Sequence, residues 1–576
     1  MKKSEVCAIF RDMAEMMEIL GEDVYRIRAY QRAARSIENT SADIMDLAAR
    51  RELTKIPGVG RELAGKIEEI LATGTLRKYE ELKERVPPGL LEILRVPGLG
   101  PKTARVLHGE LGIEGIAALE GLAREGRLKD LPGIKAKTEE NILRGIALLR
   151  SAEERRPLGM VLPLGQLVVE ALKEGAPVSR VSLAGSIRRC RETVGDIDIL
   201  ASSGDPEKVM DFFTRLPPVA EIITRGATRT SVRTKDGLQI DLRVVPDESY
   251  GAALCYFTGS KEHNIRVREL GVRSGLKVNE YGVFRGKKRV AGATEEEVFD
   301  ALGLPFIPPE MREDRGEVEA GLEGRLPRLV ELGEIKGDLH VHSKYSDGSA
   351  SLREIADKAR RMGLQWVAVC DHSRSLKVAG GLDPAALAKK KQEIEAFNAG
   401  SKDVKLLCGS EVEIGLDGGL DYPDEILAGL DVVIAAIHTG FRQSREIQTR
   451  RLIKATQSPY VHVIAHPTGR LIGERDGYAV DLEAVYKAAA ETRTFLEINA
   501  WYKRLDLNDL ECRKASETGV KFSIGSDAHL LNQMDFLALG TGVARRGWLT
   551  ARQVINTLSH RELAVLLKGK RSLFPK

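Results

Sequence analysis

LAGSIRRCRETVGDIDIL, residues 183–200, is the stretch on which the reading of this chain turns. In its last six residues acids and aliphatics alternate, the period of a strand with one buried face, so Asp196 and Asp198 project the same way. Two carboxylates that close repel unless cations lie between them. A pair of divalent ions about 4 Å apart is what in-line phosphoryl or nucleotidyl transfer uses. The run Gln239-Ile-Asp-Leu-Arg-Val-Val245 repeats the alternation, with Asp241 and Arg243 on one face and Ile240, Leu242 and Val244 on the other. It supplies a third acid from a neighbouring strand. Upstream, Gly185-Ser186 followed by Arg188 and Arg189 predicts a tight turn that offers backbone N–H groups, a hydroxyl and guanidinium groups, a combination suited to a triphosphate.

A D-x-D pair alone is weak evidence, because surface strands often carry alternating acids. Gly-Ser, then D-x-D, then a third strand Asp is far more specific, and it resembles the nucleotidyltransferase palm of family X DNA polymerases, the relatives of polymerase beta. The resemblance implies that Asp196 and Asp198 bind two Mg2+ or Mn2+ ions and that Asp241 joins the one that activates a primer 3′-hydroxyl. It also implies that Gly185, Ser186, Arg189 and Gly195 hold the triphosphate of a dNTP. Tyr256-Phe-Thr-Gly-Ser260 and the nearby Asn264 resemble the family's nucleotide-contacting stretch, which assigns sugar and base contacts to Tyr256, Phe257, Gly259 and Asn264. Gln239 departs from the family, where polymerase beta has an arginine.

Toward the N-terminus the apolar residues Ile9, Met13, Met16 and Leu20 recur at helical spacing, and Arg26, Arg28, Arg32 and Arg35 follow, which reads as a helical bundle with a basic face. Ile56-Pro-Gly-Val-Gly60, Val96-Pro-Gly-Leu-Gly100 and a degenerate Leu131-Pro-Gly-Ile-Lys135 then repeat one pattern. In the first two, Gly58, Gly60, Gly98 and Gly100 free the backbone to turn between helices and leave N–H groups at the start of the second helix. Such a site grips phosphate without reading bases. This is the helix-hairpin-helix signature. The first copy resembles the lyase domain of polymerase beta, with Lys66 at the family's Schiff-base position and Glu62 where the relative has another lysine.

Prolines and charges from 303 to 337 predict a linker. Beyond it, short aliphatic runs alternate with helical segments, and each run ends in His, Asp or Glu, the pattern of a barrel whose site lies at the strand C-terminal ends. The ligand candidates are His340, His342, Asp347, His372, Glu411, His438, His466, Asp527 and His529, and they take six of the chain's ten histidines. Nitrogen and oxygen donors without thiolate favour Mn2+, Zn2+ or Fe2+, and this many can hold two or three ions. The series resembles the PHP (polymerase and histidinol phosphatase) domain. His108, His263, His462 and His560 fit no motif position, and Glu413, Glu497 and Asn499 are expected to support the ligands rather than join them.

At 576 residues the chain predicts several domains. They are read as a helical lyase-like segment at 1–85, a helical DNA-binding segment at 86–150, an α+β palm at 151–245, a nucleotide-selecting thumb at 246–302, the linker, and an α/β PHP barrel, a distorted (β/α) barrel, at 338–576. The net charge of +4 is too small for a bulk electrostatic argument for nucleic-acid binding. Six scattered cysteines fit a reducing cytoplasm, and neither a secretory signal nor a membrane span is expected. The order of domains resembles bacterial and archaeal family X polymerases. It implies a monomeric repair polymerase acting on gapped or primer-template DNA with dNTPs, a Mn2+-dependent 3′-to-5′ exonuclease in the barrel, and lyase or abasic-site cleavage besides. A DNA-end scaffold with a silent palm and a small-molecule phosphatase are the competing readings.

Overall fold

Ile197 and Ile199 are at most 3 % exposed, while Asp196 and Asp198 between them are only partly covered, so the alternation read from the sequence seeds a sheet with one apolar face. The computed structural model describes residues 3–573 apart from 40–43, 57, 95, 97–98, 129–130, 132–138, 140–141, 144 and 147–154. Five strands form the palm sheet: β1 (Arg180–Leu183), β2 (Asp196–Ser202), β3 (Val219–Arg225), β4 (Arg229–Thr234) and β5 (Gln239–Val245), in the order β1-β2-β5-β4-β3. Only β2 and β5 run parallel. The helix Leu158–Gly175 covers the apolar face through Val161, Val168 and Leu172.

Helical hairpins fill the N-terminal part. Gly60 caps the helix Arg61–Thr73 and Gly100 caps Pro101–Leu111, each with extended backbone. Gly58 adopts φ +83°, a conformation that L side chains rarely take. Gly98 and residues 132–135 of the third repeat lie outside the described residues. The two helical segments expected at 1–85 and 86–150 share one core, since Phe10 and Met13 belong to the same apolar cluster as Leu107 and Leu119.

Residues 303–337 are not the expected linker. Ile307, Met311 and Val318 enter the same cluster as Val267, Val283 and Phe299 of the thumb, and Arg312 and Glu317 are fully buried. The prolines there start a packed turn, Pro309–Met311, where a missing N–H costs nothing, so proline content alone misleads.

Seven strands then follow in sequence order, all parallel: β6 (Gly337–Val341), β7 (Trp366–Val369), β8 (Lys405–Glu413), β9 (Val432–Ala436), β10 (Val463–Ile464), β11 (Phe495–Asn499) and β12 (Phe522–Gly525). A bridge from Val341 to Ala528 brings the last strand against the first and nearly closes the barrel. Strands buried on both faces explain the near-continuous aliphatic runs. Palm and barrel are packed together: Leu158 and Val161 share a cluster with Leu539 and Val543 of the barrel helix Leu537–Arg546, and Arg470 pairs with Glu192 at 2.6 Å. All six cysteines are free, and among the described residues no helix is long and apolar enough to cross a membrane.

Candidate active sites

Parallel pairing of β2 with β5 sets Asp198 directly beside Asp241 and Asp196 beside Gln239. Oxygens of Asp196, Asp198 and Asp241 lie within 4.8 Å of one another. Burial, then repulsion from Asp196 and Asp241, pushes the Asp198 carboxyl up to about 7. Burial and Asp241 raise Asp196 as well, against Arg155. Three carboxylates this close, with Asp196 and Asp198 holding their protons more tightly than usual, form a site that a divalent cation satisfies, so the residues fit the metal that the sequence implies.

Asp241 is held from below. Gln239 Nε2 donates to one of its oxygens at 2.9 Å and the Ser231 hydroxyl donates to the other. The residue that departs from the family therefore orients the third acid. Gly185 turns with φ +58°, and a Cβ there would lie 2.0 Å from Asp198 Oδ2, so only glycine lets this turn approach the acids.

Of the residues expected to contact nucleotide, Gly185, Ser186, Arg189, Tyr256, Phe257, Gly259 and Asn264 line one cleft with Asp196 and Asp198, whereas Gly195 stands beside Asp196 outside that lining. Asn264 donates to the Tyr256 carbonyl at 2.7 Å, and the Phe257 ring lies edge-on to Tyr256 and beneath the Arg243 guanidinium. Arg189 is already engaged, with Nε 3.0 Å from Glu313. Arg188 turns away from the cleft to Glu295, itself bonded to the buried Arg312 at 2.7 Å.

All nine barrel candidates converge at the strand C-terminal ends. His340 and His342 face each other with Nε2 atoms 3.1 Å apart, and Asp527 Oδ1 lies 3.2 Å from His342 Nε2. Glu411 lies 3.0 Å from His372 Nδ1, 3.2 Å from His438 Nε2 and 2.8 Å from His466 Nε2. Asp347 lies 3.3 Å from His529 Nε2 and 3.5 Å from His372 Nε2. Three overlapping ligand sets result: His340, His342 and Asp527; His372, Glu411 and His438; and His342, Asp347, His372 and His529. His466 joins through Glu411. Burial, only partly offset by Asp527 and reinforced by the neighbouring imidazoles, lowers His342 to about 4, which keeps it neutral and free to donate a lone pair. Its buried Nδ1 has no hydrogen-bond partner. Two ring nitrogens aimed at one another and an orphaned third fit divalent ions between them.

Glu413, Glu497 and Asn499 contact the candidate ligands directly. Glu497 lies 2.7 Å from His340 Nδ1 and accepts the His466 backbone N–H at 2.7 Å, and Glu413 lies 2.8 Å from His438 Nδ1. Asn499 bridges Glu497 and Asp527. These contacts fix Nδ1–H outward and leave Nε2 for an ion. A buried pair, Asp371 with Lys390 at 3.0 Å, escaped the sequence reading. Asp371 accepts from Ser343 and Ser346 and so fixes the loop that carries Asp347. Its only sequence signal was adjacency to His372. Of the four histidines left out of the set, His263 pairs with Glu317 at 2.7 Å, and His462 accepts from the Val433 N–H at 3.1 Å.

Lys66 donates to Glu62 at 2.5 Å and to the Tyr30 hydroxyl at 2.6 Å. Burial alone would lower its pKa, but the two hydrogen bonds win and raise it. The amine is held charged, opposite to what a Schiff-base nucleophile needs.

Comparison with known proteins places the chain in a family. Residues 1–76 match a helix-hairpin-helix domain, 90–147 a SAM-like helix-hairpin-helix tandem, 253–313 the DNA polymerase beta thumb and 338–501 the PHP domain. The DNA polymerase/3'-5' exonuclease PolX of Bacillus subtilis (strain 168) is 36% identical over 572 residues, which cover 99% of this chain and 100% of the relative. The chain belongs to the family X DNA polymerases. Within the family it is also similar to DNA polymerase lambda of Rattus norvegicus, 26% identical over 338 residues, 52% of this chain and 56% of that protein. A probable phosphatase of Thermoanaerobacter sp. (strain X514) is 34% identical over 233 residues, 38% of this chain and 89% of that protein.

Proposed function

We propose that the palm fills short DNA gaps from dNTPs by template-directed nucleotidyl transfer and that the barrel removes nucleotides from 3′ ends with Mn2+; DNA polymerase and 3'-5' exonuclease are the two activities in the name of the Bacillus relative. The observation that carries this reading is the register of β2 on β5, which unites three carboxylates at the edge of a cleft bearing Ser186, Tyr256 and Asn264. Divalent ions, when bound, would polarise phosphate oxygens and lower the pKa of the attacking oxygen. Mg2+ or Mn2+ would be held by Asp196, Asp198 and Asp241, and Mn2+, Zn2+ or Fe2+ by the barrel ligands.

The chain's own residues supply position. Ser231 and Gln239 orient Asp241, Gly185 brings the Ser186 turn against Asp198, and the aromatic pair Tyr256 and Phe257 walls the cleft. In the barrel, Glu413 and Glu497 hold the imidazoles with Nε2 inward, and Asn499 fixes Asp527. The N-termini capped by Gly60 and Gly100 present free N–H donors to duplex phosphates, which gives affinity without sequence preference.

A labelled gapped duplex, incubated with and without dNTPs and Mn2+, tests the reading. Asp198→Ala abolishes extension and spares degradation, and His342→Ala does the reverse. A folded single variant that loses both activities would require one shared site. The match to a probable phosphatase supports a second reading for the barrel alone, a phosphomonoesterase. Turnover of histidinol phosphate without degradation of the labelled strand would favour it.

A further inference from the structure

Arg189 is where the palm cleft meets the barrel. Its guanidinium lines the cleft beside Ser186 and Asp198, with one terminal nitrogen bonded to the Thr258 carbonyl and Nε 3.0 Å from Glu313. Glu313 also faces Arg191 at 3.5 Å. The oxygen that Arg189 meets, Oε1, also accepts from Arg546 at 2.9 Å, a residue of the barrel helix Leu537–Arg546. Arg546 further donates to the Arg189 carbonyl oxygen at 2.7 Å and to Asp509 at 2.8 Å, and Asp509 is paired with Arg315 at 2.8 Å. An unbroken chain of charged contacts thus runs from the cleft into the barrel.

Glu313 is a nearly buried carboxylate among three guanidinium groups, two of which border a cleft built for a polyanion. A triphosphate seeking Arg189 and Arg191 must compete with it, because carboxylate and phosphate use the same guanidinium edge. Arg546 decides how strongly Glu313 competes. While Arg546 is present, the carboxylate is shared and part of its charge is neutralised from the barrel side. Without Arg546, Glu313 keeps its buried charge with Arg189 and Arg191 as the remaining guanidinium partners, and closes on them.

We infer that Arg546, by sharing the Glu313 oxygen that Arg189 meets, weakens the carboxylate's hold on Arg189 and lets the incoming triphosphate take that guanidinium, which makes the barrel a working part of the nucleotide pocket and Glu313 and Arg546 positioning residues for nucleotide affinity. The inference rests on the polymerase reading above. The two domains are packed rather than tethered because their contact sets the KM for dNTP.

Single-nucleotide gap filling by the full-length protein, at saturating DNA with a phosphorothioate-protected primer and varied dNTP, tests it on wild type, Arg546→Gln, Glu313→Gln and the double variant. Arg546→Gln raises the KM for dNTP roughly tenfold with little change in kcat, a coupling of ordinary size between linked sites. Glu313→Gln lowers KM below wild type. The double variant matches Glu313→Gln, because Arg546 acts through the carboxylate. An equal rise in KM whether or not the Glu313 carboxylate is present, or no rise at all, overturns the inference. Should thermal unfolding show that Arg546→Gln does not fold, Glu313→Gln decides alone, and an unchanged or higher KM is the contrary result. Absence of extension by wild type would overturn the polymerase reading along with this one, whereas extension with an unmoved KM overturns only this one.

Discussion

Asp198 sits beside two other acids in a partly buried strand, and its carboxyl is raised from the ordinary carboxylate range to about 7. A group whose folded-state pKa is raised holds a proton that the unfolded chain has lost, so folding stability falls as pH climbs from about 4 toward about 7 and stays low above it. With chelator present, Asp198→Asn therefore unfolds at a higher temperature than wild type near pH 8, by a stability difference on the order of a few kcal/mol, and the advantage vanishes near pH 4. Calorimetry at the two pH values checks this, and equal unfolding temperatures at both would contradict it. Lys66 has the opposite problem. Glu62 and Tyr30 keep its amine charged against the effect of burial. Glu62→Ala should leave burial unopposed by a carboxylate, lower the amine's pKa and increase borohydride trapping on DNA carrying a 5′-deoxyribose phosphate at neutral pH. Trapping that is unchanged by the substitution would separate Lys66 from that chemistry.

Among the elements, the turn Gly185–Arg188 and the barrel strand ends are the sensitive places. Gly185→Ala puts a Cβ on Asp198 Oδ2 in a backbone conformation that alanine resists, so gap filling drops about a hundredfold in kcat/KM while binding to gapped duplex is retained. Glu497→Gln weakens the acceptor behind both His340 and His466 and lowers Mn2+ affinity about 10- to 100-fold by titration calorimetry. At this scale the sequence was legible wherever periodicity and chemistry coincide. The alternation at 196–200 specified the strand and the face of both acids, and the histidines marked the ends of β6, β7, β9 and β10. It was misleading at 303–337, because prolines in a packed turn and prolines in a linker have the same composition.

For the whole molecule, what the sequence could not show is contact between residues far apart along the chain. Glu313 and Arg546 are separated by 233 positions, and nothing in either neighbourhood marks them as partners. Asp371 and Lys390 were missed for the same reason: a buried pair has no local spacing rule. The site acids and imidazoles were readable because each comes with its own short motif, and the family resemblance supplied the roles that spacing alone left open. The central claim is that carboxylates on paired strands and imidazoles at the barrel rim form two separate metal centres in one packed chain. Anomalous scattering at the manganese edge from Mn2+-soaked crystals tests it most directly. Wild type should show density both among Asp196, Asp198 and Asp241 and among the barrel histidines, with Asp198→Ala losing only the first. Density confined to one centre in wild type, or lost from both in the variant, would contradict it.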